Sequence, residues 1–307
     1  MELSSVQHIE SSNLTDFQPD LFITTLGYES RCTTIARMLE AVNCRKIALS
    51  RTDHIRDFAF HRNKAYYQQQ GYEMIGVDKK LPDMEQLTRD LRKRELHMLM
   101  DCTSMAPRWY FEILRWFADH EEFFSRVTIR IAYTLAQFSG QDPVRKVRWL
   151  REVRKAEREN KNARTALILG LGHEKSVGDA VFRMVEPDLL YLFYADPPVH
   201  KNFVEKVFVH NHSLIHEVPI RNLVAYPIRN GQQIYQSLIE VILPLRHDYS
   251  VIMVPHGPKI FSLVAMLVHL VYPDIQISHP VFKKPSEDDR QPVEEPVVLD
   301  VHFEEDE

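Results

Sequence analysis

Two short stretches carry the residue types that bind anions or move protons. In one, Gly27 leads into Tyr28, Glu29, Ser30 and Arg31; in the other, Gly172 leads into His173, Glu174 and Lys175. Each reads leucine, glycine, an aromatic ring and glutamate, with a cation close behind. Glycine lets backbone amides approach a bound group, a ring stacks on a base, and a cation offsets phosphate charge. Glu29 and Glu174 are the candidate general bases. Both equally suit the first turn of a helix, where a carboxylate is favoured for structural reasons alone. A second pair of stretches adds Thr103, Ser104 and Arg108 in one case and His256, Gly257 and Lys259 in the other. Hydroxyls, an imidazole and cations beside helix starts complete a phosphate-binding inventory, which each residue could also leave for a packing or surface role. No Gly-Lys-Ser/Thr follows a glycine loop, so this is not a Walker loop, and Gly170-Leu171-Gly172 lacks the third glycine of a dinucleotide fingerprint.

The elements that must position these residues repeat as well. Leu21 to Thr25 is a short apolar, β-branched run that reads as a strand. Beyond Gly27, Ile35, Met38 and Leu39 fall on one helical face. Ala166 to Leu169, Gly172 and the helical pattern to Met184 do the same about 150 residues later. Met98 to Met100 is a buried central strand, followed by a polar corner, Pro107, Arg108 and a helix from Trp109 to His120. Its partner is Val251 to Val254, then His256, Pro258, Lys259 and a helix from Ile260 to Tyr272. A third echo sets Asn63 to Tyr67 against Asn211 to Ile215. Between them lie strands at Lys46–Ser50, Met74–Val77, Val127–Tyr133 and Leu189–Tyr194, a short strand within Val218–Val224, an edge strand at Ile275–Ile277, and helical patterns at Cys32–Ala41, His61–Gly71, Asp83–Glu95, Phe203–His212 and Gln232–Leu243. Strand–helix alternation implies parallel crossovers. The fold class is therefore α/β: two tandem Rossmann-like units with parallel-sheet cores, related by internal duplication.

The expected division is an N-terminal unit over 1–140, a basic linker helix over 141–164, a C-terminal unit over 165–284 and an acidic tail over 285–307. The linker holds Arg145, Lys146, Arg148, Arg151 and Arg154, with Val147, Leu150 and Val153 on one helical stripe. It reads as a solvated helix or as a basic surface for phosphates or an acidic partner. The tail reads as disordered apart from Val297 to Val301, which suits an edge strand. A chain of 307 residues with 44% hydrophobic content has room for two cores, and a net charge of −5 gives no general attraction to duplex nucleic acid. Three cysteines, Cys32, Cys44 and Cys102, have no metal spacing and suit a reducing cytoplasm. His210 and His212 point to opposite faces of a helix, so no metal site is expected. No cofactor is implied. No signal peptide or membrane-spanning run is read, so the expected location is cytoplasmic.

The corner Asp101-Cys102-Thr103-Ser104, followed by a cation and a helix, resembles the second motif of the CRISPR-associated Rossmann fold (CARF) family, whose corner is of the Asp-x-Thr-Gly-Gly-Thr-Lys type. Here Ser104-Met105-Ala106-Pro107-Arg108 stands in place of the Gly-Gly-Thr-Lys core. Two such units in one chain resemble the SAVED domain, a fusion of two CARF-like subunits. The resemblance implies a sensor of nucleotide or oligonucleotide second messengers in anti-phage defence. The ligand would lie between the two units at the strand C-terminal ends, and a separate effector protein would respond. By that resemblance Gly27 to Arg31 and Gly172 to Lys175 are first-corner contacts. Thr103, Ser104, Arg108, His256, Gly257 and Lys259 are second-corner contacts. The alternative is a metal-independent nucleotide hydrolase or transferase with Glu29 or Glu174 as base.

Overall fold

The computed structural model describes residues 1–50, 58–77, 81–91, 95–137, 145–154, 164–198, 201–283, 289–293 and 295–305. The chain divides into two compact units, Met1–Gln137 with Glu287–Glu307, and Phe138–Ser286. In chain order, unit 1 begins with β1 (Glu2–Ile9), β2 (Leu21–Leu26), a 3₁₀ turn (Ser30–Thr33) running into α1 (Thr34–Met38), β3 (Arg45–Ser50), α2 (Phe60–Gln69) and β4 (Glu73–Gly76). It continues with α3 (Met84–Thr88), β5 (Glu95–Asp101), α4 (Pro107–Asp119) and β6 (Arg126–Tyr133). Unit 2 contains β7 (Val147–Arg154), β8 (Arg164–Gly170), α5 (Val177–Val185), β9 (Leu189–Ala195), α6 (Lys201–His210), α7 (His212–Glu217), β10 (Leu223–Tyr226), α8 (Gly231–Leu245), β11 (Tyr249–Val254), α9 (Lys259–Val271) and β12 (Gln276–Phe282). The chain then returns to unit 1 as β13 (Val297–Glu304).

The unit 1 sheet has the order β1-β13-β6-β5-β2-β3-β4, and the unit 2 sheet the order β10-β9-β8-β11-β12-β7. Counted from β2 and from β8, each runs third, second, first, fourth, fifth, with those five strands parallel. Each then adds an antiparallel strand beyond the fifth, β13 on β6 and β7 on β12. That common order is what two copies of one Rossmann-like unit require. Both faces of the parallel strands are covered, which is why β2 is buried at every position. Each fully buried Leu, Ile or Phe there contributes roughly 1.5–3 kcal/mol. α4 starts with Pro107, whose missing N–H costs nothing at a helix start, and buries Trp109, Tyr110, Phe111, Ile113, Leu114 and Phe117. α9 is buried along almost its whole length.

Four expectations need correction. The basic stretch is not a helix where it is described: β7 occupies Val147–Arg154, while 141–144 and 155–163 lie outside the described residues. The ladder with β12 shifts register between Val281 and Phe282, whose partners are Trp149 and Val147. Arg148 is thus an extra residue on β7, so Val147 and Leu150, three apart, both pack on the unit 2 core. A bulged strand here imitates a helical stripe. The tail is not a separate region either. β13 lies between β1 and β6, with Val297 to Val301 all buried, and its inward Asp300 is held by two hydrogen bonds from Arg130 at 2.7 and 2.8 Å. Because β7 flanks β12, β12 is not an edge strand. Finally, among the described residues the pattern over Asp83–Glu95 yields α3 and a 3₁₀ turn (Arg89–Leu91), with β5 beginning at Glu95 and 92–94 lying outside the described residues.

Candidate functional site

Strand order reverses between β2 and β5 in unit 1 and between β8 and β11 in unit 2, where crossovers leave to opposite sides and open a crevice at the strand C-terminal ends. All four sequence corners follow these strands. In unit 1 the two corners touch: a Cβ on Gly27 would stand 2.6 Å from Ser104 Oγ and 2.7 Å from Ser104 Cβ. Asn63, buried on α2, donates from Nδ2 to the carbonyls of Gly27 (3.0 Å) and Glu29 (2.9 Å). The Gly27 N–H donates to Cys32 Sγ (3.1 Å), and the thiol donates to the Thr25 carbonyl (3.2 Å). Burial pushes the Cys32 thiol up to about 11, so it is no thiolate nucleophile at neutral pH.

Arg31 turns inward. Only 1% exposed, it donates from Nε to Glu29 Oε2 (2.7 Å) and from Nη1 to the Thr134 carbonyl (2.6 Å) and the Tyr133 hydroxyl (3.3 Å). Burial works against its charge, but Tyr133 and Glu29 more than offset that and hold its pKa above the ordinary value. Thr103 is also buried: its N–H donates to Asp101 Oδ1 (2.9 Å) and its hydroxyl accepts from the Thr134 N–H (3.0 Å). Thr25 and Thr134, at the ends of β2 and β6, have buried hydroxyl oxygens with no hydrogen-bond partner among the described residues, and Ser104 lies beside the Cys32 thiol. Tyr28 packs against Phe58, with ring centroids 5.9 Å apart. Arg108 points outward on α4 and pairs with Glu112 one turn on.

The first corner of unit 1 already holds an anion from its own chain. Asp289 accepts from the Ser30 N–H at Oδ1 and from the Ser30 hydroxyl at Oδ2, both at 2.6 Å. The Arg31 N–H donates to the Arg290 carbonyl (3.3 Å), and Arg290 Nε lies 3.7 Å from Glu29. The Gln137 N–H donates to Gln291 and the Val293 N–H to Leu135. The segment leading into β13 therefore lies across this corner.

Unit 2 has the same frame with different chemistry. Asn211 donates from Nδ2 to the Gly172 carbonyl (3.1 Å), as Asn63 does to Gly27. A Cβ on Gly172 would collide with Glu174 Oε2 and stand 2.8 Å from His256 Nε2. These two side chains, 13% and 11% exposed, pair at 3.1 Å. Gly257 holds φ at +109°, a conformation reserved for glycine, and its bare Cα faces the Leu171 carbonyl, which locks the second corner on the first. Burial alone would raise the Glu174 pKa; His256, with help from His173, holds it well below the usual carboxylate range. The His173 carbonyl accepts from the His210 ring, and its own ring meets Phe203 edge-on at 5.4 Å. Burial, with His256 nearby, brings His279 down to about 4. Its Nε2 lies 3.4 Å from Ser262 Oγ. Lys175 is exposed, and Lys259 is the first residue of α9.

The structure thus brings together Gly27, Glu29, Arg31 and Ser104 in unit 1, and Gly172, His173, Glu174 and His256 in unit 2. Arg108 and Lys175 stand apart on the surface. Sequence reasoning missed the role of Asn63 and Asn211, although their recurrence was the available signal. It missed Asp289 and His279 because nothing local marks either.

No protein-family model matches the chain, and no curated protein matches it. Among solved structures, the chain is similar to the cytoplasmic domain of a prokaryotic cation chloride cotransporter, with 10% identity over 86% of this chain and 96% of that one. The TM-score is 0.24, too low to carry a functional argument. No helix among the described residues is long and apolar enough to cross a membrane.

Proposed function

We propose that this chain is a binding and sensing module for a nucleotide or oligonucleotide second messenger. Its ligand's phosphates would be held at the strand C-terminal ends, and a separate effector protein would read the bound state. An anti-phage role follows from the CARF and SAVED resemblance. The observation that carries the reading is the placement of both sequence corners of each unit at its strand-order reversal, the position where open α/β sheets bind ligands. Unit 2 supports it more directly than unit 1. His256 and Glu174 form a pair near the surface, whereas Arg31 is buried and Ser30 is engaged by Asp289.

Thermal-shift titration of the full chain against mononucleotides, dinucleotides and cyclic oligonucleotides tests this. A ligand at a hundred times its Kd stabilises by about 2.7 kcal/mol, and His256→Ala and Lys259→Ala should abolish the shift. Absence of stabilisation by every compound overturns the reading.

The Glu174–His256 pair supports a second reading, a nucleotide hydrolase or transferase. In that case Glu174 Oε2 and His256 Nε2, 3.1 Å apart, are together the candidate proton-transfer pair. Glu29 is already engaged by Arg31 Nε at 2.7 Å. Nucleotide turnover that falls in His256→Ala while ligand binding persists would favour this reading over sensing alone.

A further inference from the structure

We propose that the outer edge of β7 accepts an added strand from a protein partner, an extended segment carrying acidic side chains. β7 ends the unit 2 sheet, and among the described residues it pairs only with β12. In unit 1 the strand at the same place in the sheet is β13, next to the fifth parallel strand. Its outer side is covered by β1, antiparallel over Glu2–Ile9. Among the described residues unit 1 therefore has a seven-stranded sheet and unit 2 a six-stranded one. Between its two register shifts β7 keeps a regular run over 149–152, whose outer backbone donors and acceptors can pair with a chain that lies beside it.

The side chains decide which chain that is. Lys146, Arg148, Trp149 and Arg151 are exposed, and Glu152 is the one acid between positions 145 and 152. Trp149 is 47% exposed, with the Arg148 guanidinium 5.4 Å from its ring centroid. Like charges facing each other across a ladder are destabilising, so Arg148 and Arg151 oppose pairing with a second copy of β7 and favour a partner with Asp or Glu opposite them. A single-stranded nucleic acid would engage the cations and Trp149 but leave the backbone edge unpaired. The open edge therefore favours peptide. This surface stands independently of the ligand reading.

The test is fluorescence anisotropy of the full chain with a fluorescein-labelled peptide of alternating glutamate and valine. The comparisons are the same peptide N-methylated along one backbone edge, its lysine counterpart and labelled oligothymidylate. The expected result is binding of the glutamate peptide with a change in Trp149 emission that is absent in Trp149→Phe. Affinity should fall by about tenfold or more in Arg148→Glu/Arg151→Glu, and similarly for the N-methylated peptide. The modified peptide leaves the protein untouched, so a folding defect cannot imitate that result. Equal binding of the N-methylated peptide, binding of oligothymidylate in place of peptide, self-association through β7, or no peptide binding would each overturn the proposal.

Discussion

In unit 1 the glutamate after the corner glycine faces a buried guanidinium; in unit 2 it faces an imidazole. The two corners share the strand order, the glycine pressed against the opposite corner, and a later asparagine that holds the glycine carbonyl. The guanidinium is a permanent charge enclosed by Glu29, Tyr133 and Thr134, and Asp289 lies over the amide beside it. The imidazole is 11% exposed, against 1% for Arg31. One frame thus carries a carboxylate–guanidinium corner in unit 1 and a carboxylate–imidazole corner in unit 2. Duplication preserved the backbone problem that the corner poses and released the side chain that answers it.

The strongest way to break this comparison is at the glutamate's partner. Arg31→Ala should destabilise the chain by about 3–5 kcal/mol in chemical denaturation, because it removes one member of a buried pair. Glu174→Gln keeps the side-chain shape and one acceptor for His256, so it should cost only about 1–3 kcal/mol. Equal losses would mean that the two corners do not differ as described. Asn63→Ala and Asn211→Ala address the shared part. Both side chains are buried and both satisfy a corner carbonyl, so each should cost about 1–3 kcal/mol and the two values should agree closely.

The third prediction concerns pH and unit 2. His279 is neutral in the folded chain down to about 4, whereas an unfolded histidine protonates near 6.5. The unfolded state therefore binds more protons in that window. Its contribution to stability is full above about 6.5 and is lost as pH falls toward about 4, with a slope of at most about 1.4 kcal/mol per pH unit. Denaturation midpoints measured across that range should fall with acid, and His279→Phe should flatten the fall. Asp289→Asn is the smallest change, about 1 kcal/mol, since the amide keeps one acceptor for Ser30. Hydrogen exchange at the Ser30 amide should quicken in that variant; unchanged exchange would show that the crossing segment, rather than the carboxylate, closes the corner.

The parallel strands were readable because each is a short apolar run bounded by a turn, and the long helices because their apolar residues recur at helical spacing. Leu21–Leu26, Val251–Val254 and α4 are instances. β7 was misread because its bulge at Arg148 sets Val147 and Leu150 three apart, and β13 because an acid, Asp300, interrupts a central strand whose partner Arg130 lies far away in sequence. The candidate site was half legible. Gly27, Gly172 and their glutamates were found by repetition, but which cation each glutamate meets is a matter of distance in space.

Local residue pattern settled that this is an α/β chain made of two similar halves, since turn chemistry and apolar periodicity act over a few neighbouring residues. Only the tertiary structure decided that Arg31 is enclosed while His256 stands near the surface, that Asp289 returns across the first corner, and that one sheet ends a strand earlier than the other. Those outcomes depend on contacts far apart in sequence, 259 positions for Ser30 with Asp289 and 298 for Ser4 with His302, where burial and the identity of a remote partner set the charge and the hydrogen bonds.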